Sequence, residues 1–347
     1  MRKIVSLLFL LIAPVACSET TSGTSSNTGG KGGDSGDNFA VYNCGLPAAG
    51  ATGVAKPSGT PGNLKVLDWA GNKGAVTYTF DDANSSQISN YPALQALGVH
   101  MTFYIQTGKT EASNAIWSQA LQDGHELGNH TKSHAQTATA EDIDAAQQFL
   151  KEKFGVTAWT MAAPYGDASY VSAAKDKFII NRGVSNAVIA PNGKSDQYNL
   201  PCYIPPQDAK ADAFNAEIDS AQAAGGWRVV LVHGFNGGSD SAYQPVSIDE
   251  FTAGVDHAKS LGNMWIDSMV NVGSYWLGQK LVSAVQATTS GSEQTYTWTL
   301  PSVFPPGKCL RVTVDGGTLK QGGKTLSWDS HGYYEISLDA GSLTVSQ

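Results

Sequence analysis

The feature that most constrains the fold is a regular alternation, between about residues 74 and 278, of apolar strand-like runs and segments of helical periodicity. Seven apolar runs fit the strand pattern, at residues 75–80, 100–105, 126–130, 158–163, 178–184, 228–232 and 264–269. Strands that alternate with helices are typical of a parallel α/β architecture. The sequence therefore predicts either a barrel or an open doubly wound sheet.

Helices are expected between these strands. The candidates are residues 114–123, 141–154, 213–224 and a segment after Ser247. Gly155 and Gly225 stop the second and third candidates, as glycine commonly does at a helix end. Ser247 and Glu250 fit a capping box, in which both side chains satisfy free N–H groups at the helix start. No Gly-x-Gly-x-x-Gly follows the first strand, so a dinucleotide-binding fold loses its main support.

After Lys280 the apolar pattern changes to a period of two, which predicts a small all-β, sandwich-like module over residues 280–347. Its strands are expected at residues 296–300, 310–314, 334–338 and 343–345, separated by glycine-containing turns. The module contains four large aromatic residues, Trp298, Trp328, Tyr333 and Tyr334. They are suited to stacking on sugars, but in a module of this size large aromatic residues more often form the core, and we favour that interpretation.

The N-terminus has the pattern of an export signal. Two basic residues precede an apolar run at residues 4–15, which is shorter than the roughly 20 residues that a membrane-spanning helix needs. Residues 1–16 are therefore interpreted as a signal peptide. Cys17 and the Ala before it resemble the lipobox of bacterial lipoproteins, although Pro14 stands where that pattern usually has Leu. A signal that is cleaved in the ordinary way is the alternative.

The segment after Cys17 favours lipidation, because 17 of the 21 residues from 18 to 38 are Ser, Thr, Gly or Asn. Such a composition cannot bury a core and is typical of a flexible tether. We therefore expect Cys17 to be lipidated and to anchor an exported chain in a membrane, on the outer-membrane, periplasmic or cell-surface side. Residues 17–43 would be the tether and residues 44–279 the α/β domain. Secretion of the free chain is the alternative.

Charge and cysteine spacing argue against two classes of protein. The chain has 22 Lys and Arg against 30 Asp and Glu, a formal net charge of -8, so no nucleic-acid partner is expected. Besides Cys17 it has Cys44, Cys202 and Cys309, with no Cys-x-x-Cys spacing, which disfavours a zinc finger. An exported chain can form one disulfide among these three, and the sequence leaves the pairing open, with the third thiol buried.

Acidic and imidazole side chains follow three of the predicted strands. Asp81 and Asp82 end the first strand, where one carboxylate can bind a cation while the other acts as a base, although a solvated turn is the commoner role. His130 and His134 follow the third strand, with a spacing that lets both rings reach one metal ion. His233 follows the sixth. Because the carboxyl ends of parallel strands meet at one edge, these groups are expected at one site.

A fourth strand is followed by Pro164-Tyr165-Gly166. A turn of this kind can expose the backbone N–H of Tyr165 toward the site, as an oxyanion donor must be exposed. An ordinary turn explains the same three residues equally well.

Together these motifs occur in the order and approximate spacing of the polysaccharide deacetylase family, also called the NodB homology family or carbohydrate esterase family 4. They are Thr79-Phe80-Asp81-Asp82, residues 130–134, Pro164-Tyr165-Gly166 and Leu231-Val232-His233. The stretch Asp123-Gly124-His125-Glu126-Leu127-Gly128-Asn129-His130-Thr131 is similar to the family's Asp-Gly-His-Glu-Ile-Gly-Asn-His-Thr, and Thr102-Phe103-Tyr104 to its Thr-Phe-Phe. The resemblance implies a distorted (β/α) barrel of the NodB type and a metal-dependent removal of acetyl groups from carbohydrate.

The resemblance also implies a role for each motif residue. The ligands of Zn²⁺, or of another divalent ion such as Co²⁺, would be Asp82, His130 and His134. Asp81 would be the general base, His233 the general acid, and the backbone N–H of Tyr165 an oxyanion donor.

The chain departs from the family pattern in three places. Ala162 stands where the family has the Arg that tethers the catalytic Asp. Loss of this cation is expected to raise the pKa of Asp81, and Arg182 on the next predicted strand is a candidate substitute that the sequence does not place. No counterpart of the family's Asp-Trp motif is found, so no group is assigned to orient His233. Ala83 replaces the Gly that commonly follows the paired acids.

The resemblance implies a carbohydrate deacetylase, of a family that splits between N-deacetylation of N-acetylglucosamine polymers and O-deacetylation of xylan. We expect a monomer that acts on an N-acetylglucosamine-containing glycan, such as chitin, a chitooligosaccharide or peptidoglycan. An esterase for O-acetylxylan is the alternative on the same site, and a glycan-binding surface lipoprotein with little or no catalysis is the alternative from another class. The candidates for stacking on the sugar are Tyr104, Phe235, Tyr243 and Trp276. Each of them is equally suited to packing inside the protein.

Overall fold

The computed structural model describes residues 39–347 with the exception of residues 41 and 43. Two short strands, β1 (Phe39–Ala40) and β2 (Lys65–Val66), precede a parallel sheet of seven strands. The sheet strands are β3 (Gly74–Phe80), β4 (Thr102–Ile105), β5 (Glu126–Asn129), β6 (Thr160–Ala162), β7 (Ile180–Arg182), β8 (Trp227–Val232) and β9 (Met264–Ile266). Each corresponds to one of the seven predicted runs. Strands β3 and β8 are buried along their whole length, as expected of near-continuous apolar runs in a parallel sheet.

The order of the strands in the sheet is β7-β6-β5-β4-β3-β8, and β9 pairs with the first half of β3. Residues 200–203 connect the two ends of this order. Leu200 pairs with Arg182 of β7, and Tyr203 pairs with Val230 of β8, both in parallel. The sheet therefore closes on itself through an irregular segment, which makes it a distorted (β/α) barrel and not an open doubly wound sheet.

Seven α-helices are found in the described part of the chain. They are α1 (Ser85–Ala96), α2 (Ile116–Gln122), α3 (Ala140–Phe154), α4 (Ser169–Ala173), α5 (Ala211–Ala224), α6 (Ile248–Ser260) and α7 (Met269–Ser283). Gly155 and Gly225 end α3 and α5 in the left-handed conformation, at φ 73° and 62°, as predicted. The sequence pattern does not predict α1, α4 or α7. Pro92 interrupts the pattern of α1, and nine of the fifteen residues of α7 are buried, so that this helix has no extended polar face.

The predicted capping box at Ser247 is wrong in its hydrogen bonds. Helix α6 begins directly after Ser247, but the Ser247 side chain accepts no hydrogen bond from the helix. The Glu250 carboxylate instead accepts a hydrogen bond of 2.9 Å from the N–H of Ala211, at the start of α5. Because α5 and α6 pack side by side, Glu250 satisfies a free N–H of the neighbouring helix and not of its own.

Seven further strands follow α7 and form two mainly antiparallel sheets. They are β10 (Thr288–Ser290), β11 (Glu293–Thr297), β12 (Cys309–Thr313), β13 (Thr318–Gln321), β14 (Lys324–Leu326), β15 (Tyr334–Ser337) and β16 (Ser342–Ser346). One sheet has the order β1-β14-β13-β16-β11-β10 and the other the order β15-β12-β2. Strands that precede the barrel thus join both sheets. The domain boundaries at residues 44 and 280 stay predictions.

The large aromatic residues of the β module belong to its interior. Trp298, Tyr333 and Tyr334 are buried, and Trp328 is half-buried and donates a hydrogen bond from Nε1 to the carbonyl of Val54. Packing therefore accounts for their positions, as the core interpretation predicted.

The β module and the barrel share one apolar core. Trp227 of β8 and Trp276 of α7 lie in the same cluster of buried residues as Leu310 of β12. A disulfide between Cys44 and Cys309 joins the segment before the barrel to β12. Cys202 is a buried free thiol, so the cysteines form one bridge and leave one thiol, as predicted.

No helix in the described residues has both the length and the apolar composition that a membrane crossing requires. The predicted signal peptide, the lipidation at Cys17 and most of the tether lie outside the described residues and stay predictions.

Candidate active site

The predicted site residues meet in one cavity of about 410 Å³ at the carboxyl ends of the barrel strands. The cavity is lined by polar groups that follow β3, β5 and β8 and by apolar side chains around them. The lining residues are Asp81, Asp82, His130, His134, Ala163, Tyr165, Arg182, Val184, Ile204, Leu231, His233 and Tyr243. Every sequence-predicted site residue in the described range is among them.

Three of these residues present potential ligand atoms to a common point. His130 Nε2 lies 3.3 Å, and His134 Nε2 3.5 Å, from Asp82 Oδ1, and the three ligand atoms all lie within 4.8 Å of one another. Left-handed backbone at Asp82 (φ 76°) and His134 (φ 56°) turns these side chains into the cavity. Non-glycine residues in this conformation are uncommon and concentrate at functional sites.

Hydrogen bonds around these residues fit a divalent metal ion. His130 Nδ1 lies 2.9 Å from the carbonyl of Ala162, so it donates its N–H there and leaves the lone pair of Nε2 facing Asp82. Asp82 Oδ1 is buried and has no hydrogen-bond partner among the described residues. A carboxylate with two neutral imidazoles is the ligand set of a catalytic zinc site, in which further coordination positions stay open.

Charges at this point hold the Asp82 carboxyl in its ionised form. Burial raises its pKa, but the close approach of the His130 ring and the electrostatic effect of His233 and His134 outweigh burial, and the pKa lies below its ordinary value. An anionic oxygen is therefore available to a cation at this point of the cavity.

Asp81 is buried beside the metal-ligand group and forms an ion pair with Arg182. Asp81 Oδ2 accepts a hydrogen bond from Arg182 Nη2, and both side chains are almost completely buried. The guanidinium also donates to the carbonyl of Gly183 at 3.1 Å, and it lies 5.7 Å from the centre of the Tyr104 ring. Arg182 is thus held on three sides.

Arg182, the candidate substitute named from the sequence, is confirmed as the cation beside Asp81, and the expectation of a raised Asp81 pKa is wrong. Arg182 of β7 pairs in register with Ala162 of β6, so its side chain points to the same face as the Arg that Ala162 replaces. Burial raises the pKa of Asp81, but Arg182 and His130 outweigh burial and hold the pKa below its ordinary value. The cation that pairs with Asp81 is thus supplied by β7, and not by β6 as in the family pattern.

His233 is positioned through its backbone. Its carbonyl accepts hydrogen bonds from Asn84 Nδ2 at 2.7 Å and from Gln87 Nε2 at 2.8 Å, and Gln87 Nε2 also donates to the carbonyl of Asp81 at 2.5 Å. The start of α1 therefore ties the end of β3 to the end of β8. The motifs do not point to Asn84 and Gln87, because both lie outside them.

Among the described residues, no carboxylate forms an ion pair or hydrogen bond with the imidazole of His233. Its Nδ1 is buried without a hydrogen-bond partner among the described residues. The ring of Tyr243 lies nearly perpendicular to it, at 81°, with 5.3 Å between the ring centres. Burial lowers the pKa of His233 below its ordinary value, although Asp81 and Asp82 act in the opposite direction.

Tyr165 lies at the mouth of the cavity in the turn predicted for it. Its backbone is left-handed, at φ 56°, and its side chain is 61% exposed. The ring lies 4.6 Å from the His134 ring. The turn thus places the Tyr165 ring next to one of the three potential metal ligands.

Comparison with known proteins supports the resemblance in the first part of the barrel. Residues 70–177 match the family model described as polysaccharide deacetylase. The match covers less than a third of the chain, and over that segment the chain is similar to this family. The matched range contains Asp81, Asp82 and the motif from His130 to His134, and it ends before Arg182 and His233.

Individual relatives match only in part. A gellan lyase from a Bacillus species is 29% identical over 131 residues, which are 35% of this chain and 5% of that protein's length. The Xyl-CE4 domain of a multidomain xylanase from the hindgut metagenome of Trinervitermes trinervoides is 17% identical, with a TM-score of 0.40 over 57% of this chain and 88% of that one. A family 4 acetyl xylan esterase from Clostridium thermocellum, in complex with a cobalt ion, is 17% identical, with a TM-score of 0.39 over 59% and 91%.

Proposed function

We propose that the protein is a metal-dependent deacetylase that hydrolyses acetyl groups from an N-acetylglucosamine-containing glycan. One observation carries the proposal. The ligand atoms of Asp82, His130 and His134 converge on one point, and the Asp81–Arg182 ion pair and His233 lie in the same cavity. An ion-binding point beside a carboxylate base and an imidazole is the arrangement that hydrolysis of an amide or ester needs.

The proposed metal is Zn²⁺ or another divalent ion such as Co²⁺, held by Asp82, His130 and His134. When bound, such an ion supplies Lewis-acid activation of water and of the acetyl carbonyl. His130 and His134 must be neutral at the ligating nitrogen, and the hydrogen bond from His130 Nδ1 to Ala162 fixes that tautomer.

The remaining steps belong to the chain's own residues. Asp81, kept ionised and oriented by Arg182, takes a proton from the attacking water. The backbone N–H of Tyr165 donates to the oxyanion that forms as the carbonyl carbon becomes tetrahedral. His233 gives a proton to the departing nitrogen as the C–N bond breaks, so that the products are acetate and an amine.

The lining of the cavity favours an uncharged sugar. Arg182 is the only Lys or Arg among the lining residues, and its charge is engaged by Asp81. The apolar lining residues Val184, Ile204 and Leu231 suit an acetyl methyl group better than a charged substituent. A neutral chitin-type glycan therefore fits the site better than a glycan that carries carboxylates.

O-acetylxylan, which is also uncharged, remains the alternative substrate, because the same groups can hydrolyse an ester. The alternative of a glycan-binding protein without catalysis is disfavoured by the retained Asp81–Arg182 pair, since binding alone does not require an oriented buried base. We also propose that the chain is exported, anchored to a membrane through Cys17, and monomeric.

Acetate release by the purified protein tests the proposal. We expect release from chitopentaose, its loss when a chelator strips the metal, and its return when Zn²⁺ is added. Acetylated xylan is assayed in parallel. A higher kcat/KM on acetylated xylan than on chitopentaose would show that the protein is an esterase and not an amidase. Asp81→Asn should lower kcat by about 10³-fold, within the range typical of a lost general base.

The matched control is Asp219→Asn, which removes a carboxylate paired with His257 outside the cavity. It should leave kcat unchanged. Stoichiometric zinc binding without acetate release from either glycan would contradict the proposed activity and favour the binding role.

A further inference from the structure

Exposed hydrophobic side chains are concentrated at the mouth of the candidate active site. Among the described residues, four large hydrophobic side chains are exposed, Val54, Tyr165, Val184 and Tyr243. The last three line the cavity. Exposed apolar groups that cluster at one concave site, and not singly over the surface, mark a surface that binds a ligand.

The structure separates Tyr243 from the other aromatic residues that were candidates for stacking on sugar. Tyr104, Phe235 and Trp276 are at most 1% exposed, so they are packing residues. The Tyr243 side chain is 59% exposed. Burial in a core therefore does not account for the position of Tyr243.

Tyr243 is nevertheless held in place. It lies in the segment after β8, and the pairing of Phe235 with Val246 closes the base of that segment. The ring packs edge to face with His233. A two-torsion aromatic ring that is already ordered loses little conformational entropy when a ligand contacts it, so its contact area contributes to affinity.

The position of the ring next to His233 defines which part of a substrate it can touch. In the proposed reaction His233 protonates the leaving atom, so a group packed on this imidazole lies beside the sugar that carries that atom. Tyr165 has the corresponding position next to His134, on the metal-ligand side of the cavity. The two exposed tyrosines thus belong to different parts of the site.

We propose that Tyr243 is a substrate-contacting residue, whose ring face binds the uncharged pyranose that carries the leaving nitrogen or oxygen. The inference rests on the proposed function. Because the contact is made by the ring face, the phenolic hydroxyl is not required. The sugar ring is recognised by its apolar C–H face, which a planar aromatic ring matches.

The test compares Tyr243→Ala and Tyr243→Phe on two substrates, chitopentaose and p-nitrophenyl acetate, an acetyl ester without a sugar. Tyr243→Ala should raise KM for chitopentaose about tenfold, the ratio that corresponds to about 1.4 kcal/mol. It should change kcat/KM for p-nitrophenyl acetate less than about twofold. Tyr243→Phe should resemble the wild type on both substrates. The matched control is Val54→Ala, an exposed hydrophobic residue outside the cavity, which should change neither.

Two kinetic outcomes overturn the proposal. If Tyr243→Ala lowers kcat/KM equally for both substrates, Tyr243 acts by positioning His233 and not by contacting sugar. If it changes neither, the ring does not contribute to the site.

Binding of chitopentaose, measured by calorimetry, separates this proposal from the proposed function. If the wild type binds but releases no acetate, and Tyr243→Ala weakens binding about tenfold, the activity is wrong and the contact is right. If the wild type neither binds chitopentaose nor releases acetate from it, both are wrong for this glycan class.

Discussion

Two buried carboxylates lie in the same barrel in opposite environments. Glu126 lies at the amino end of β5, and its oxygens accept hydrogen bonds from Thr102 Oγ1 at 2.9 Å, Thr160 Oγ1 at 2.6 Å and the N–H of Val270 at 2.8 Å. All three of these donors are supplied by the protein.

Asp81, at the carboxyl end of β3, is satisfied only in part. Its Oδ2 is paired with Arg182, but its Oδ1 has no hydrogen-bond partner among the described residues. The same is true of Asp82 Oδ1 and of His233 Nδ1. With Arg182 Nε, four buried polar atoms of cavity-lining residues lack a partner among the described residues, so the cavity offers polar atoms that are not satisfied by the protein.

The motif at residues 123–131 contains both a structural histidine and a histidine of the site. His125, in its first half, accepts a hydrogen bond at Nδ1 from the N–H of Met101, and burial lowers its pKa to about 4, so it is a neutral structural residue. His130, in the second half, faces the cavity. The first half of this nine-residue motif therefore packs inside the barrel, and the second half contributes to the site. The sequence does not show which histidine has which role; the fold does.

Among the substitutions that test the comparison of Asp81 with Glu126, Arg182→Met should have the largest effect on stability and activity. Removal of the guanidinium leaves Asp81 buried without its counter-charge, which should lower the free energy of unfolding by about 3 kcal/mol. It should also raise the pKa of Asp81 and thereby move the acidic limb of the pH–activity profile to higher pH, because the base must be ionised to accept a proton. Urea denaturation and a pH profile of acetate release measure the two effects.

Arg228→Met is the matched control, because Arg228 is also buried in the barrel, where it pairs with Glu217, but does not line the cavity. It should lower stability and leave the acidic limb in place. Since Ala162 and Arg182 are register partners, Ala162→Arg combined with Arg182→Ala should move the limb back toward the wild-type position. An unshifted limb in Arg182→Met would show that Arg182 does not govern the ionisation of Asp81.

The fold was largely predictable from the sequence, because buried parallel strands are apolar runs and glycines end two of the helices. Helix α7 was not, because a helix buried on most of its sides loses the periodicity that identifies it. The ion pair of Asp81 depends on the register of β6 against β7, which local sequence does not encode. The hydrogen bond of Glu250 to α5 and that of Asn84 to His233 were not predictable for the same reason. Both depend on how separate elements pack against each other.

Glu126→Ala should have a smaller effect, which is on stability alone and not on activity. It removes the acceptor that Thr102, Thr160 and Val270 share inside the barrel, which should lower the free energy of unfolding by about 2 kcal/mol. Because Glu126 does not line the cavity, kcat per folded molecule should stay within about twofold of the wild type. The exposed Glu293→Ala serves as the control and should change neither quantity. A large loss of kcat in Glu126→Ala would break the distinction between the two carboxylates.

The smallest effect concerns a half-exposed ion pair, His100 with Asp267, whose Nδ1 and Oδ1 lie 3.2 Å apart. The hydrogen bond with Asp267 raises the pKa of His100 above its ordinary value, although burial acts against it. A raised pKa in the folded state means that the stabilisation is fully present below the ordinary value of about 6.5 and is lost as the pH rises through the folded value. His100→Gln should therefore cost more stability at pH 5 than at pH 8.

The difference should stay below about 1 kcal/mol, because solvent screens a half-exposed pair. Urea denaturation of the wild type and His100→Gln at both pH values measures it. In an Asp267→Asn background the pH dependence of the His100→Gln effect should disappear, because the partner that raises the His100 pKa has lost its charge. An effect of equal size at both pH values in the wild-type background would mean that the charge of His100 contributes nothing. The stabilisation at this position would then come from neutral hydrogen bonds alone.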